Sequence, residues 1–147
     1  MIAFIDSSVV LRIVLGQAGR LAEWNRITKG VASALVEVEC LRTLDRLSQS
    51  GHLSQEDAAI RREAVYRVTA ALELVELTSS VLHRASQPMP APLGTLDAIH
   101  LATADMWRES LQKEIFFATH DEALALAARS IGFKVIGVPS SSERRGR

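Results

Sequence analysis

The last regular stretch of the chain constrains the fold most. Ile115-Phe-Phe-Ala118 is a short apolar run, Asp121 to Ser130 is an amphipathic segment, Gly132 follows it, and Lys134 to Val138 is apolar again. This spacing predicts a strand, a helix stopped by a C′ glycine, and a second strand. Two strands joined through one helix run parallel, with a right-handed crossover. A parallel sheet must be covered on both faces, so the rest of the chain has to supply helices for two sides.

The upstream pattern meets that demand. Ile2 to Ile5 is wholly apolar, as befits a strand buried on both faces. A helix is expected from Ser8 to Leu15, ending at Gly16, then a strand at Gly30 to Ser33 and a helix from Ala34 to Leu47. After Gly51, Ser54 and Asp57 open a helix in capping-box fashion, running to Ala71. Leu74 to Leu77 is a candidate strand and Ser79 to Ala85 a helix. The loop QPMPAPLG contains three prolines, which exclude regular pairing, and Thr95 is expected to cap a helix reaching Leu111. The expected architecture is α/β, three layers with a central parallel sheet of four to five strands.

Nothing in the 147 residues reads as a repeat or a linker, so one domain is expected over 1–139, with a polar, flexible tail at 140–147. An apolar fraction of 48% implies a packed core rather than disorder. The 17 basic and 17 acidic residues cancel, so a polynucleotide partner has to be held by a local basic patch. Cys40 is the single cysteine, which excludes an intrachain disulfide and fits a reducing, cytoplasmic setting. No apolar run approaches the ~20 residues of a membrane span. With Asp6 inside its apolar start and no basic n-region, the chain is not expected to carry a signal peptide.

Sites on open parallel sheets form outside the carboxyl ends of the strands. Asp6 stands at one such end and Asp121 follows another by three residues. Asp97 in GTLDAIHLATA, and Glu37 or Glu39 in SALVEVECLR, begin helices adjoining the same edge. Each acid taken singly is explained as a helix cap or a first-turn charge. Taken together they are not, because converging carboxylates repel by about 3 kcal/mol per pair at ~5 Å and an effective dielectric of 20. A cation is therefore expected. Oxygen ligands without paired cysteine or histidine point to Mg²⁺ or Mn²⁺ rather than zinc, and to phosphate-ester chemistry.

IDSSVVLRI, SALVEVECLR, LDAIHLATA and FFATHDEALALAARSIGFKVI resemble, in this order, the four acidic motifs of PIN-domain ribonucleases, most closely the VapC toxins of bacterial toxin–antitoxin pairs. The resemblance implies that Asp6, Glu39, Asp97 and Asp121 are catalytic and bind Mg²⁺ or Mn²⁺, with Thr119 and Ser7 as supporting hydroxyls. Helical periodicity does not separate Glu39 from Glu37; the resemblance alone selects Glu39. It also implies an RNA substrate, a VapB-type antitoxin and a homodimer or a higher toxin–antitoxin hetero-oligomer, with helices between Ala34 and Ala71 supplying the contact surfaces. Leu41, Leu44 and Leu47 are read either as part of those surfaces or as core. Arg12, Arg42 and Arg46, and secondarily Arg61, Arg62 and Arg67, are the candidate RNA contacts. His120 departs from the small polar residue usual in the family, and His100, one turn after Asp97, is a candidate partner for that carboxylate. Trp24 and Trp107 are expected to anchor core or interface. The rival readings are a catalytically silent PIN-like binding module and a phosphoaspartyl-type phosphatase or receiver domain; DSS lacks the D-x-D-x-T pattern of the former class of phosphatase, and no paired acid precedes Asp6 as receivers require.

Overall fold

A computed structural model describes residues 1–139; the expected tail at 140–147 lies outside the described residues. Five strands among these residues form one sheet: β1 (Ile2–Ile5), β2 (Lys29–Ser33), β3 (Glu73–Val75), β4 (Phe116–Ala118) and β5 (Lys134–Ile136). Their order is β3-β2-β1-β4-β5 and every pairing is parallel. All carboxyl ends therefore share one edge, with β1 at the centre.

Among the described residues six α-helices cover the sheet: α1 (Ser7–Val14), α2 (Leu35–Gln49), α3 (Gln55–Ala70), α4 (Ser79–Ala85), α5 (Thr95–Leu111) and α6 (Glu122–Ser130). The two-residue alternation of β1 divides the core. Ala3 and Ile5 pack with Val9, Val36, Leu44 and Val65 of α1, α2 and α3. Phe4 packs on the opposite side with Leu101, Trp107 and Leu124 of α5 and α6. On that side Phe4 stacks on Phe117 at 5.4 Å between ring centroids, and Phe117 meets Phe133 edge-on at 5.5 Å. Leu44 is fully buried and Leu41 packs against it, so these leucines belong to the core. Trp107 is core as well, and Trp24 packs partly buried at its margin. Among the described residues no helix is long and apolar enough to cross a membrane.

Local chemistry explains most boundaries. Asp6, Ser54, Thr78 and Asp121 each cap the following helix by accepting a backbone N–H. Ser54 completes its box with an unusual arm, its hydroxyl donating to the Asp57 carboxylate at 2.9 Å. The expected cap at Thr95 is corrected: Gly94 holds the N-cap position of α5 and Thr95 is its first helical residue, with no side-chain cap. The third strand is also shorter and earlier than Leu74 to Leu77, because Thr78 caps α4 and the chain must turn before it.

Asp105, deep in α5, is 3% exposed, and its charge is met by Arg84 of α4 and by Arg108 at 2.5 Å. Arg108 also donates to the Ile131 carbonyl at 2.9 Å and lies 4.0 Å above the Phe133 ring. One buried carboxylate thus ties three helices through two guanidinium groups.

Gly137, just past β5, has φ +97°, and a Cβ there would fall inside the contact shell of the Thr119 carbonyl oxygen. Only glycine combines that dihedral with that approach. Gly137→Ala is expected to cost about 1–3 kcal/mol from backbone strain alone, read as a lowered urea midpoint with unchanged m-value.

Candidate active site

Asp6 leaves the centre of the sheet and is 4% exposed. Its Oδ2 accepts from the Ser8 amide at 3.3 Å, the Ser8 hydroxyl at 2.6 Å and the Thr119 hydroxyl at 3.0 Å. Among the described residues no donor reaches its Oδ1. Asp121 follows the same plan at the end of the neighbouring β4. Its Oδ1 accepts the Leu124 amide at 2.8 Å, and its own amide donates to Thr119 Oγ1 at 3.0 Å. Both aspartates are therefore helix caps, as their positions alone suggested, and each cap engages one carboxylate oxygen.

Glu39 lies on α2 and hydrogen-bonds Nε2 of His100 on α5. Because α2 and α5 cover opposite faces, this pair spans the strand ends. Burial alone would lower the pKa of His100; the bond to Glu39 and the charges of Glu39, Asp6 and Asp97 outweigh it and raise the value. Glu37 instead accepts a bond from Thr69 of α3 at 2.8 Å. The two glutamates that periodicity could not separate are separated by what faces them. His100 was a candidate partner for Asp97; it is bonded to Glu39.

Asp97 is the third residue of α5 and half-buried. Burial, then the negative charges of Asp6 and Asp121, and finally that of Glu39, push its carboxyl pKa up to about 6 against the opposing pull of His100. Cys40 reports the same field: burial, then Glu39, Asp6 and Glu37, push its thiol up to about 12. All four predicted acids thus act on one region. They gather at the range of charge–charge interaction. Among the described residues no three histidine, cysteine or acidic side chains lie close enough to ligate one ion directly.

The contrast with Asp105 on the same helix shows what this region lacks. Asp105 has two arginines, whereas among the described residues no lysine or arginine pairs with Asp6, Glu39, Asp97 or Asp121. A hydrated divalent cation fits such a donor set, since Mg²⁺ keeps several waters and is bound through one or two carboxylates.

The supporting residues need one correction. Ser8, not Ser7, carries the hydroxyl of the network; Ser7 contributes its carbonyl, 3.9 Å from the Cys40 thiol. The N-cap geometry of Asp6 held the clue, because a cap side chain turns toward the second helical residue. His120 donates its amide to Ser8 Oγ at 2.9 Å, its ring meets the Gly137 carbonyl at 3.1 Å, and burial and the charge of Arg12 lower its pKa. Of the arginines, Arg12 donates to the Gly19 carbonyl, Arg42 is paired with Asp45 at 2.7 Å, and Arg46 donates to Thr43. Arg61 is structural, holding the Val14 carbonyl at 2.6 Å, while Arg62 and Arg67 are exposed.

Residues 3–130 match the PIN domain family. The chain belongs to that family. A VapC-type assignment within it follows from Ribonuclease VapC46 of Mycobacterium tuberculosis, which is 32% identical over 136 residues, covering 90% of this chain and 95% of its own. Ribonuclease VapC47 of the same species is 28% identical over 137 residues, covering 88% and 92%. The VapBC2 structure from Rickettsia felis, solved bound to a DNA fragment from its promoter, has the same fold, with a TM-score of 0.64, 8% identity and coverage of 92% and 97%. This VapC-type PIN domain thus carries its acids on the fold expected for them.

Asp97→Asn removes one charge from the crowded edge without changing its volume. Without divalent ions the variant is expected to melt ~2–4 °C above the wild type, for a relief of about 1 kcal/mol after solvent screening. Millimolar Mg²⁺ or Mn²⁺ should raise the wild-type midpoint and raise that of the variant far less. Scanning calorimetry with and without metal checks both; a wild-type midpoint indifferent to metal counts against the site.

Proposed function

We propose that this VapC-type ribonuclease hydrolyses RNA at the rim formed by Asp6, Glu39, Asp97 and Asp121, with Mg²⁺ or Mn²⁺ held among them. What supports the reading is the field at Asp97, whose carboxyl is pushed to about 6 by burial and by the other three acids together. Four carboxylates brought from distant parts of the chain, with no arginine or lysine paired to them among the described residues, favour a hydrated cation over a purely structural cluster.

The chain's own groups divide the work. Oδ1 of Asp6 and Oδ2 of Asp121 are the oxygens left over from helix capping, and these, with Asp97, would hold the cation, in part through water. Glu39 is oriented by His100. When bound, the metal lowers the pKa of a water and neutralises charge on the phosphate. No side chain here is fitted to attack phosphorus. The Cys40 thiol is buried and held protonated, and the Ser8 and Thr119 hydroxyls are turned toward Asp6. In the proposed hydrolysis water is the nucleophile: its oxygen bonds to phosphorus as it gives up a proton, one ester P–O bond breaks, and the departing oxygen takes up a proton.

Arg12 is the best-placed candidate for RNA contact, since its charge is felt at His120 beside Asp121. Arg42 is already paired with Asp45 and is a weaker candidate, as is Arg46, which is bonded to Thr43. A VapB-type antitoxin is the proposed partner, supported by the likeness to VapBC2. Val38 on α2 and Ile60 on α3, 54% and 55% exposed, offer apolar surface for it and for a homodimer.

Asp6→Asn preserves the helix cap, because asparagine caps as well as aspartate, and should reduce metal-dependent RNA cleavage by more than the 10–100-fold typical of an outer-shell change. Glu39→Gln should impair cleavage and Glu37→Gln should leave it intact. A gel-based assay on defined RNA, with and without chelator, checks all three; full activity of Asp6→Asn in chelator would remove the proposal.

A further inference from the structure

The reading of Asp6 as a metal-binding carboxylate leaves open what holds it in a ligating pose. A buried carboxylate at the end of a strand has two equivalent oxygens and rotates between them unless its surroundings distinguish them. Here they do. The Ser8 hydroxyl lies 2.6 Å from Oδ2 of Asp6 and accepts the His120 amide at 2.9 Å. The Thr119 hydroxyl lies 3.0 Å from the same oxygen and accepts the Asp121 amide at 3.0 Å. A hydroxyl has one proton. Each of these two receives a backbone N–H, so each is left with its proton to give, and the acceptor in reach is Oδ2. The 3.3 Å contact between the two hydroxyls is then a neighbour contact, not a third bond.

We infer that Ser8 is a positioning residue for the metal centre: with Thr119 it locks Oδ2 of Asp6 and so presents Oδ1 alone to the cation. The inference rests on the proposed role of Asp6 and goes beyond it. The same hydroxyl, through the His120 amide, ties the turn after β1 to the turn after β4, one residue short of Asp121. Ser8 therefore governs both the rotation of one acid and its distance from another. Neither its position in the helix nor the cap requires the hydroxyl, because the cap uses the Ser8 amide. Ser8→Ala keeps that amide, so the helix start survives the change.

The test is Mn²⁺ binding by the full chain, followed by electron paramagnetic resonance of the free ion, in the wild type, Ser8→Ala, Ser8→Thr and Asp6→Asn, each first checked for an intact melting transition. Ser8→Ala is expected to weaken Mn²⁺ by about 10–100-fold, the usual effect of losing an outer-shell partner, and Ser8→Thr to restore it. In RNA cleavage, the half-activating Mn²⁺ concentration should move with the affinity while KM for RNA at saturating Mn²⁺ stays put. Wild-type affinity in Ser8→Ala, with Asp6→Asn impaired, overturns the positioning role and leaves the metal reading standing. Equal loss in Ser8→Ala and Ser8→Thr also overturns it, since the hydroxyl is then not the cause. Wild-type affinity in Asp6→Asn removes the role of Asp6 and the inference with it.

Discussion

Mutual repulsion of carboxylates at one edge of a parallel sheet is the constraint around which this molecule is arranged. The topology puts β1 at the centre and all strand ends on one side, so Asp6 and Asp121 emerge from adjacent strands with no choice of direction. Helices α2 and α5 then bring Glu39 and Asp97 to the same edge from opposite layers. Elsewhere the chain neutralises a buried acid with its own arginines, as around Asp105. At the edge no arginine or lysine among the described residues does so, and the raised pKa of Asp97 records the consequence.

The fold was largely legible because its cues are local. Apolar runs marked the strands, glycines and prolines the breaks, and Ser54, Asp6 and Asp121 the helix starts. Misreadings arose where a local cue was overridden by a neighbour. Thr95 has the chemistry of a cap, yet Gly94 takes the position with extended dihedrals and leaves Thr95 inside the helix. The third strand ends early because Thr78 begins the next helix.

The gathering of the acids at one edge was legible in the sequence, and the groups that support them were less so. Glu37 and Glu39 are equivalent by helical periodicity, and only the partners opposite them, Thr69 and His100, tell them apart. Those partners are 32 and 61 residues away in sequence, beyond any window of periodic pattern. Ser7 and Ser8 are likewise indistinguishable by type; the hydroxyl that matters is chosen by the dihedrals of the turn after β1. Long-range facing, rather than residue type, is what a single sequence withholds.

The first and last acids double as helix caps, and this has an evolutionary corollary. A descendant released from selection would still need a capping side chain at positions 6 and 121, a need that asparagine, serine or threonine also meets, whereas losing the Asp97 charge relieves repulsion. Drift at the first two positions should therefore stay within the capping residues, while position 97 is free to leave the acids altogether.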